Sequence, residues 1–489
     1  MPSIRIIPNL EREARLVHWV QAPVGRFAIF LIFLASLAVT VRGSLLLDTA
    51  VVLALVTWLP TRRRTILVFA ALYWAYLHVH LRWDLLGAVR ERAEAGTVLP
   101  DFGLFRFQVI AAALLSCALL HVWFRSRPSM LAARYPAWFL AGLHILLAAA
   151  LSASPWRGLT WLYAWGFLLV FGSYLWFLAY ALLDLRKHPE REFSEHIGLF
   201  HPFWGSTSTP FPKGRAYADE IEAKDAEALA VSQLRGIKLL WWSILLAAAA
   251  ASLRAIFFGQ PIIGQARLPF GIPVPPLEIA FQASVQGHPF PWIQNASAMF
   301  LDLAIDGLSL SVWGHQFIAI ARMAGFDARR NTYKPFLATS VSDFFNRYYY
   351  YFKELLVDFF FHPTIYSLPR RRFKLSLFVA TLAAAGVGNF LYHLIRDLHV
   401  VAERGLVKTL VDSRVHALYC LVLALAIFVS QVRRIGRRPE APTGLVRWRK
   451  IVAVWLFFAL LSTLYVDMRN TALIDHVRFF ADSLPLSLR

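Results

Sequence analysis

The feature that most constrains this chain is a series of apolar stretches separated by short basic clusters. Runs of roughly the 17–25 residues needed to cross about 30 Å of hydrocarbon occur near 26–41, 44–60, 65–81, 107–124, 136–153, 159–185, 237–258, 297–321, 373–395, 414–432 and 451–467. Each is long enough to span a bilayer as a helix, which satisfies its own backbone hydrogen bonds where no water is available. The sequence therefore predicts an all-α, polytopic membrane protein with about eleven transmembrane helices. Composition agrees: 58% of the 489 residues are hydrophobic and only 16% charged, more apolar side chain than a soluble interior of this size can hide. Disordered, collagen-like and disulfide-scaffold classes are excluded. The two cysteines, Cys117 and Cys420, lie inside apolar runs, so no zinc cluster or disulfide framework can be assembled from them, and no metal site is expected.

The formal net charge of +20 would suggest nucleic acid in a soluble protein. Here the basic residues fall between apolar runs, so nucleic acid is not expected and charge reports orientation. An N-terminus inside puts Arg62–Arg64, Arg125–Arg134, Arg186–Lys238, Arg329–Lys374 and Arg433–Lys450 on the cytoplasmic side of an inner membrane. Loops 259–296 and 396–413 then face outward with fewer Lys and Arg. The 82–106 loop is the exception, with Arg82, Arg90, Arg92 and Arg106 on the outer side. Residues 1–25 mix Ile6, Ile7, Leu10, Leu16, Trp19 and Val20 with Arg5, Arg12 and Arg15, as a helix lying in the interface does. We divide the rest into N-terminal helices at 26–185, a cytoplasmic loop at 186–236 with a short helix near 217–234, and a core at 237–489. The sequon at Asn295 is a short, weakly specific pattern. There is no internal repeat, phosphate-binding glycine loop or His-Glu-x-x-His motif, which argues against an ATPase or metalloprotease.

Residues 331–395 carry the chemical signal. The piece 344–362 is aromatic all round yet holds Asn346, Arg347, Lys353, Glu354, Asp358 and His362. It is too polar to face lipid and too apolar for a water-exposed loop, which fits a re-entrant or protein-buried segment. The ordered set Pro335-Phe336-Leu337, Ser342-Asp343-Phe344-Phe345, Arg347, Asp358, Pro363 and, in the next span, His393 resembles the membrane-bound O-acyltransferase family. The resemblance covers about 65 residues, and the many-span architecture agrees along the chain. One departure is clear: the His, Asn or Asp that the family places six residues after its aspartate falls on Tyr349, with Asn346 the nearest amide.

The resemblance implies helices around a central tunnel, an acyl-CoA or acyl-carrier thioester donor reached from the cytoplasmic side, no tightly bound cofactor, a hydroxyl acceptor and, in some relatives, a partner acyltransferase subunit. It also implies a catalytic role for His393. An imidazole in apolar surroundings favours its neutral form and can take a proton from a hydroxyl. Asn346 or Tyr349 would donate to the developing oxyanion. Arg347 and Lys353, with Asp358 and the Arg370–Arg372 cluster nearby, would meet the phosphates of the donor. Plainer readings stand beside these: an interfacial histidine, tyrosines 348–351 as packing, Arg370–Arg372 as a topology signal, and Asp358 paired with a nearby Arg or Lys. Asp302, Asp306 and His315 share one apolar run, with the two aspartates four apart on one helical face. They support an alternative reading, a transporter or lipid flippase with an ionisable path, although paired broken helices and duplicated halves are missing.

Overall fold

The computed structural model describes residues 6–78, 98, 101–155, 157–205, 209–211, 213–261, 271–436, 443–465 and 471–485. Within them the chain is helical throughout. There is no strand, only an isolated antiparallel bridge between Glu222 and Phe326. Seven helices are long and apolar enough to cross a membrane: Phe102–Ser126, Pro136–Ala153, Leu159–Asp184, Ala226–Phe258, Trp292–Met323, Phe373–Arg396 and Arg414–Val432. Two bent pairs raise the number to nine if each is one span. This is a multi-pass membrane protein, with seven to nine candidate spans among the described residues.

Proline accounts for both bends. Ala14–Gln21 and Pro23–Leu37 meet at 101°, and Ser44–Trp58 and Pro60–Leu77 at 108°. Each bend falls at a residue preceding proline, Ala22 or Leu59, which the pyrrolidine ring pushes out of the helical region. The runs at 44–60 and 65–81 are thus the arms of one bent pair. The last expected span falls in the Gly444–Ser462 helix, whose first two turns carry Arg447, Arg449 and Lys450. The helix expected near 217–234 is divided in two, Arg215–Ile221 and the start of Ala226–Phe258. Of the four outer-loop arginines only Arg106 is among the described residues, with its guanidinium 4.5 Å from the centre of the Tyr76 ring.

The chain divides into two compact units. Unit 1 comprises Met1–Trp241, Gln316–Arg329 and Leu391–Thr409, and unit 2 comprises Trp242–His315, Arg330–Phe390 and Leu410–Arg489. In unit 1 the Leu159–Asp184 helix is apolar on every side and correspondingly buried. Glycines let neighbours approach it: a Cβ at Gly166 would meet the Phe105 ring at 2.9 Å, and one at Gly172 would meet His144 Nε2 at 3.0 Å. At one end of this unit, charged side chains join segments distant in sequence. Arg63 pairs with Glu222 (3.2 Å), Arg64 with Asp219 (3.3 Å), Arg235 with Asp327, and Lys238 with Glu11. These basic stretches are among those expected on a common side of the membrane. Burial raises the Glu11 pKa, but the Lys238 hydrogen bond and charge, with a backbone hydrogen bond and Arg235, outweigh it and the net shift is downward.

In unit 2 two π-helical segments, Val357–Phe361 and Leu382–Gly388, pack against each other. The contact is close enough that a Cβ at Gly388 would lie 2.7 Å from Phe360 Cγ. Single π turns inside α-helices concentrate at functional sites.

Candidate functional site

The segment expected to be re-entrant is a broken helix: Val341–Tyr348, then Tyr350–Leu356, the first π segment, and His362–Ser367. The break falls at Tyr349, which leaves the helical region (φ −143°, ψ 77°). An interrupted helix exposes amides and carbonyls that cannot stay bare at membrane depth. Residues 331–333 satisfy them. Tyr333 N donates to Arg347 O (2.7 Å), Thr332 Oγ1 to Tyr348 O (2.9 Å) and Tyr350 N to Asn331 O (2.8 Å), while Asn331 Oδ1 accepts from Tyr351 N (3.3 Å). Asn331 and Thr332 are buried, and Gly314 makes room: a Cβ there would stand 2.8 Å from Asn331 Cβ and Nδ2.

Several motif residues have structural partners. Ser340 caps the Val341–Tyr348 helix by accepting from Asp343 N (3.1 Å). The Asp343 carboxylate accepts from Thr339 N (3.1 Å) and pairs with Arg347 (2.9 Å). Phe336 stacks beside Trp455 (4.7 Å between ring centres), whose indole N–H donates to the Phe336 carbonyl (3.0 Å). The Phe336 ring also lies over Gly307, where a Cβ would be 2.4 Å away. Lys353 pairs with Glu354 (2.7 Å) and lies over the Tyr350 ring. Asp358 has His362 at 3.9 Å. Asn346 is exposed, whereas Tyr349 is half-buried against Phe352. The sequon residue Asn295 is buried and its amide donates to Phe290 O and Asp482 O, so it serves as a structural clamp.

Asp302, Asp306 and His315 all lie on the Trp292–Met323 helix in unit 2. Among the described residues neither aspartate makes a hydrogen bond or ion pair, although Asp306 feels the Arg254 charge and both act electrostatically on Tyr348. His315 is buried. Tyr348 stacks on Phe344 (4.7 Å) and shares a core with Tyr419. Tyr419 is 5.6 Å from Tyr465 and stacks on buried His416 at 5.5 Å, all between ring centres. Unit 2 thus gathers two carboxylates, three tyrosines and an imidazole around its broken helix. Sequence reasoning missed His416, Tyr419 and Tyr465, because single residues on separate helices leave no local pattern.

His393 belongs to unit 1, on the last turns of the Phe373–Arg396 helix, and is half-buried. Its neighbour Tyr392 is fixed twice, by a hydroxyl hydrogen bond with Thr209 (2.8 Å) and by stacking on Trp176 (5.9 Å). The Tyr392 and His393 rings meet edge to face at 5.4 Å. The His393 carbonyl accepts from Asp397 N (2.9 Å), closing the helix end. The described residues contain no group of three or more His, Cys, Asp or Glu that could hold a metal. No protein-family model and no curated protein matches this chain.

Proposed function

We propose that the chain is a membrane-embedded acyltransferase of the inner membrane. It would move an acyl group from a thioester donor, acyl-CoA or an acyl carrier, to a hydroxyl on a glycan, lipid or peptide. The observation that carries the reading is a half-buried imidazole at the polar end of an apolar helix, on backbone held rigid through Tyr392, Thr209 and Trp176. In the proposed reaction His393 takes the acceptor hydroxyl's proton as its oxygen attacks the thioester carbonyl. The attack gives a tetrahedral intermediate. Collapse expels the thiolate, which takes the proton back from the imidazole. Arg347 and Lys353 would meet donor phosphates by exchanging their contacts with Asp343 and Glu354. The finer topology belongs to this proposal: eleven passes with the N-terminus inside, 344–362 re-entrant, a central tunnel, and a partner subunit receiving the acyl group.

The test is release of free CoA by the purified protein from a radiolabelled acyl-CoA, with lipid and glycan extracts as acceptors. His393→Ala should lower turnover about a hundredfold or more at unchanged Tm. Full turnover by that variant would end the assignment. A second reading, transport or lipid flipping, is favoured by the Asp302 and Asp306 carboxylates that lack hydrogen bonds. In that case Asp306→Asn impairs flux across proteoliposomes more than His393→Ala does.

A further inference from the structure

At the charged end of unit 1 four guanidiniums gather around three carboxylates. Arg63 pairs with Glu222 (3.2 Å), and Arg191 with Asp219 (2.8 Å) and Asp184 (3.7 Å). Arg215 pairs with Asp219 and Glu222 (3.5 Å), and Arg64 with Asp219 (3.3 Å). One positive charge is left over. Among the described residues donors are left over too: Nε of Arg63, Nη1 of Arg191 and Nε of Arg215 are buried without a hydrogen-bond acceptor, while no buried oxygen of the three carboxylates lacks a partner. The Arg63 and Arg215 side chains are each 4% exposed. Nε2 of buried His121 and of His196 likewise lacks a partner, and the two rings lie 5.3 Å apart. His196 is in electrostatic reach of Arg191, Arg215 and Asp219. A buried donor without an acceptor is costly, and guanidiniums in this state are best satisfied by an oxyanion with more lone pairs than a carboxylate.

The geometry points to an anion-binding site of phosphate chemistry here, held by Arg63, Arg64, Arg191 and Arg215. Its open edge is Arg64, 62% exposed, beside Asp219 at 25%. Asp219 already plays the part of the anion, since its two oxygens are shared among three guanidiniums. It therefore competes with any ligand that enters. The phosphate can arrive on a coenzyme-A-type molecule or as the headgroup of an anionic lipid; the site does not depend on the acyl-transfer reading.

The probe is radiolabelled pyrophosphate bound to the full-length protein in neutral detergent, at low salt. Wild type should bind saturably. Arg64→Ala, an edge substitution compatible with folding, should weaken binding about tenfold. Asp219→Asn, which removes the competing carboxylate, should tighten it several-fold. A purely structural ion-pair network predicts no saturable binding and a lower Tm for both variants, and that result overturns the site. Wild-type affinity in Asp219→Asn overturns it as well. Displacement by coenzyme A below the pyrophosphate concentration assigns a nucleotide-type ligand. Displacement by phosphatidylglycerol vesicles, but not phosphatidylcholine ones, assigns a lipid, and displacement by neither leaves free phosphate. Acyl transfer is not among the readouts, so failure here and failure of the His393 assignment remain distinguishable.

Discussion

The charged end of unit 1 and the interior of unit 2 handle ionisable groups in opposite ways. In unit 1 Asp219 and Glu222 each sit between guanidiniums, and Asp184 pairs with Arg191. In unit 2 Asp302 and Asp306 stand a helical turn apart within an apolar helix, with no ion pair among the described residues. Compensated charge stabilises a particular packing, whereas uncompensated charge in a span lowers stability and persists where function requires it. The contrast separates carboxylates held in ion pairs from carboxylates held in none among the described residues.

The sharpest way to break this comparison is Arg63→Ala. It leaves the half-buried Glu222 with one guanidinium fewer and should cost about 3–5 kcal/mol in reversible unfolding. Arg63→Ala with Glu222→Ala should recover part of that loss, and strict additivity would show that the pair is not coupled. Asp302→Asn should act with the opposite sign, raising stability by about 1 kcal/mol, because it removes one of two neighbouring like charges from an apolar helix. A lower Tm in this variant would reveal a partner that the comparison denies. The last test is a pH slope. Burial first, then His121, Arg191 and Arg215, lower the pKa of His196 from 6.5 to about 3. Above pH 6.5 the imidazole is neutral whether the chain is folded or not; below it the unfolded chain takes a proton that the fold refuses. Stability should therefore decline as pH falls from about 6.5 towards 3, and His196→Phe should flatten that slope in thermal melts.

The all-helical, membrane-crossing character was legible in the sequence because apolar run length alone decides it. The right-angle bends at Pro23 and Pro60 were not read from the sequence, because run length hides them: a bent pair and two spans contain the same residues. The polar, aromatic stretch after Tyr333 announced a departure from a plain span, and the break at Tyr349 is that departure. What satisfies the break was not legible, since Asn331 and Thr332 pair with residues 16 to 20 positions later and carry no periodicity. The tyrosines 348–351, expected to pack, do so unequally: Tyr351 is buried, while Tyr348 is in electrostatic reach of Asp302 and Asp306. Asp343 and Arg347 drew attention as motif residues, and their geometry is that of a helix cap and an i,i+4 ion pair.

The clip formed by Asn331, Thr332 and Tyr333 bears on how the protein is made. Its contacts join residues close in sequence, so the entropy of closing the loop is small. They can form once the nascent chain has emerged to about residue 351, before the helices at 414–432 and 444–462 have been synthesised. The interruption can thus form with its peptide groups already paired, before the C-terminal third of the molecule has been made.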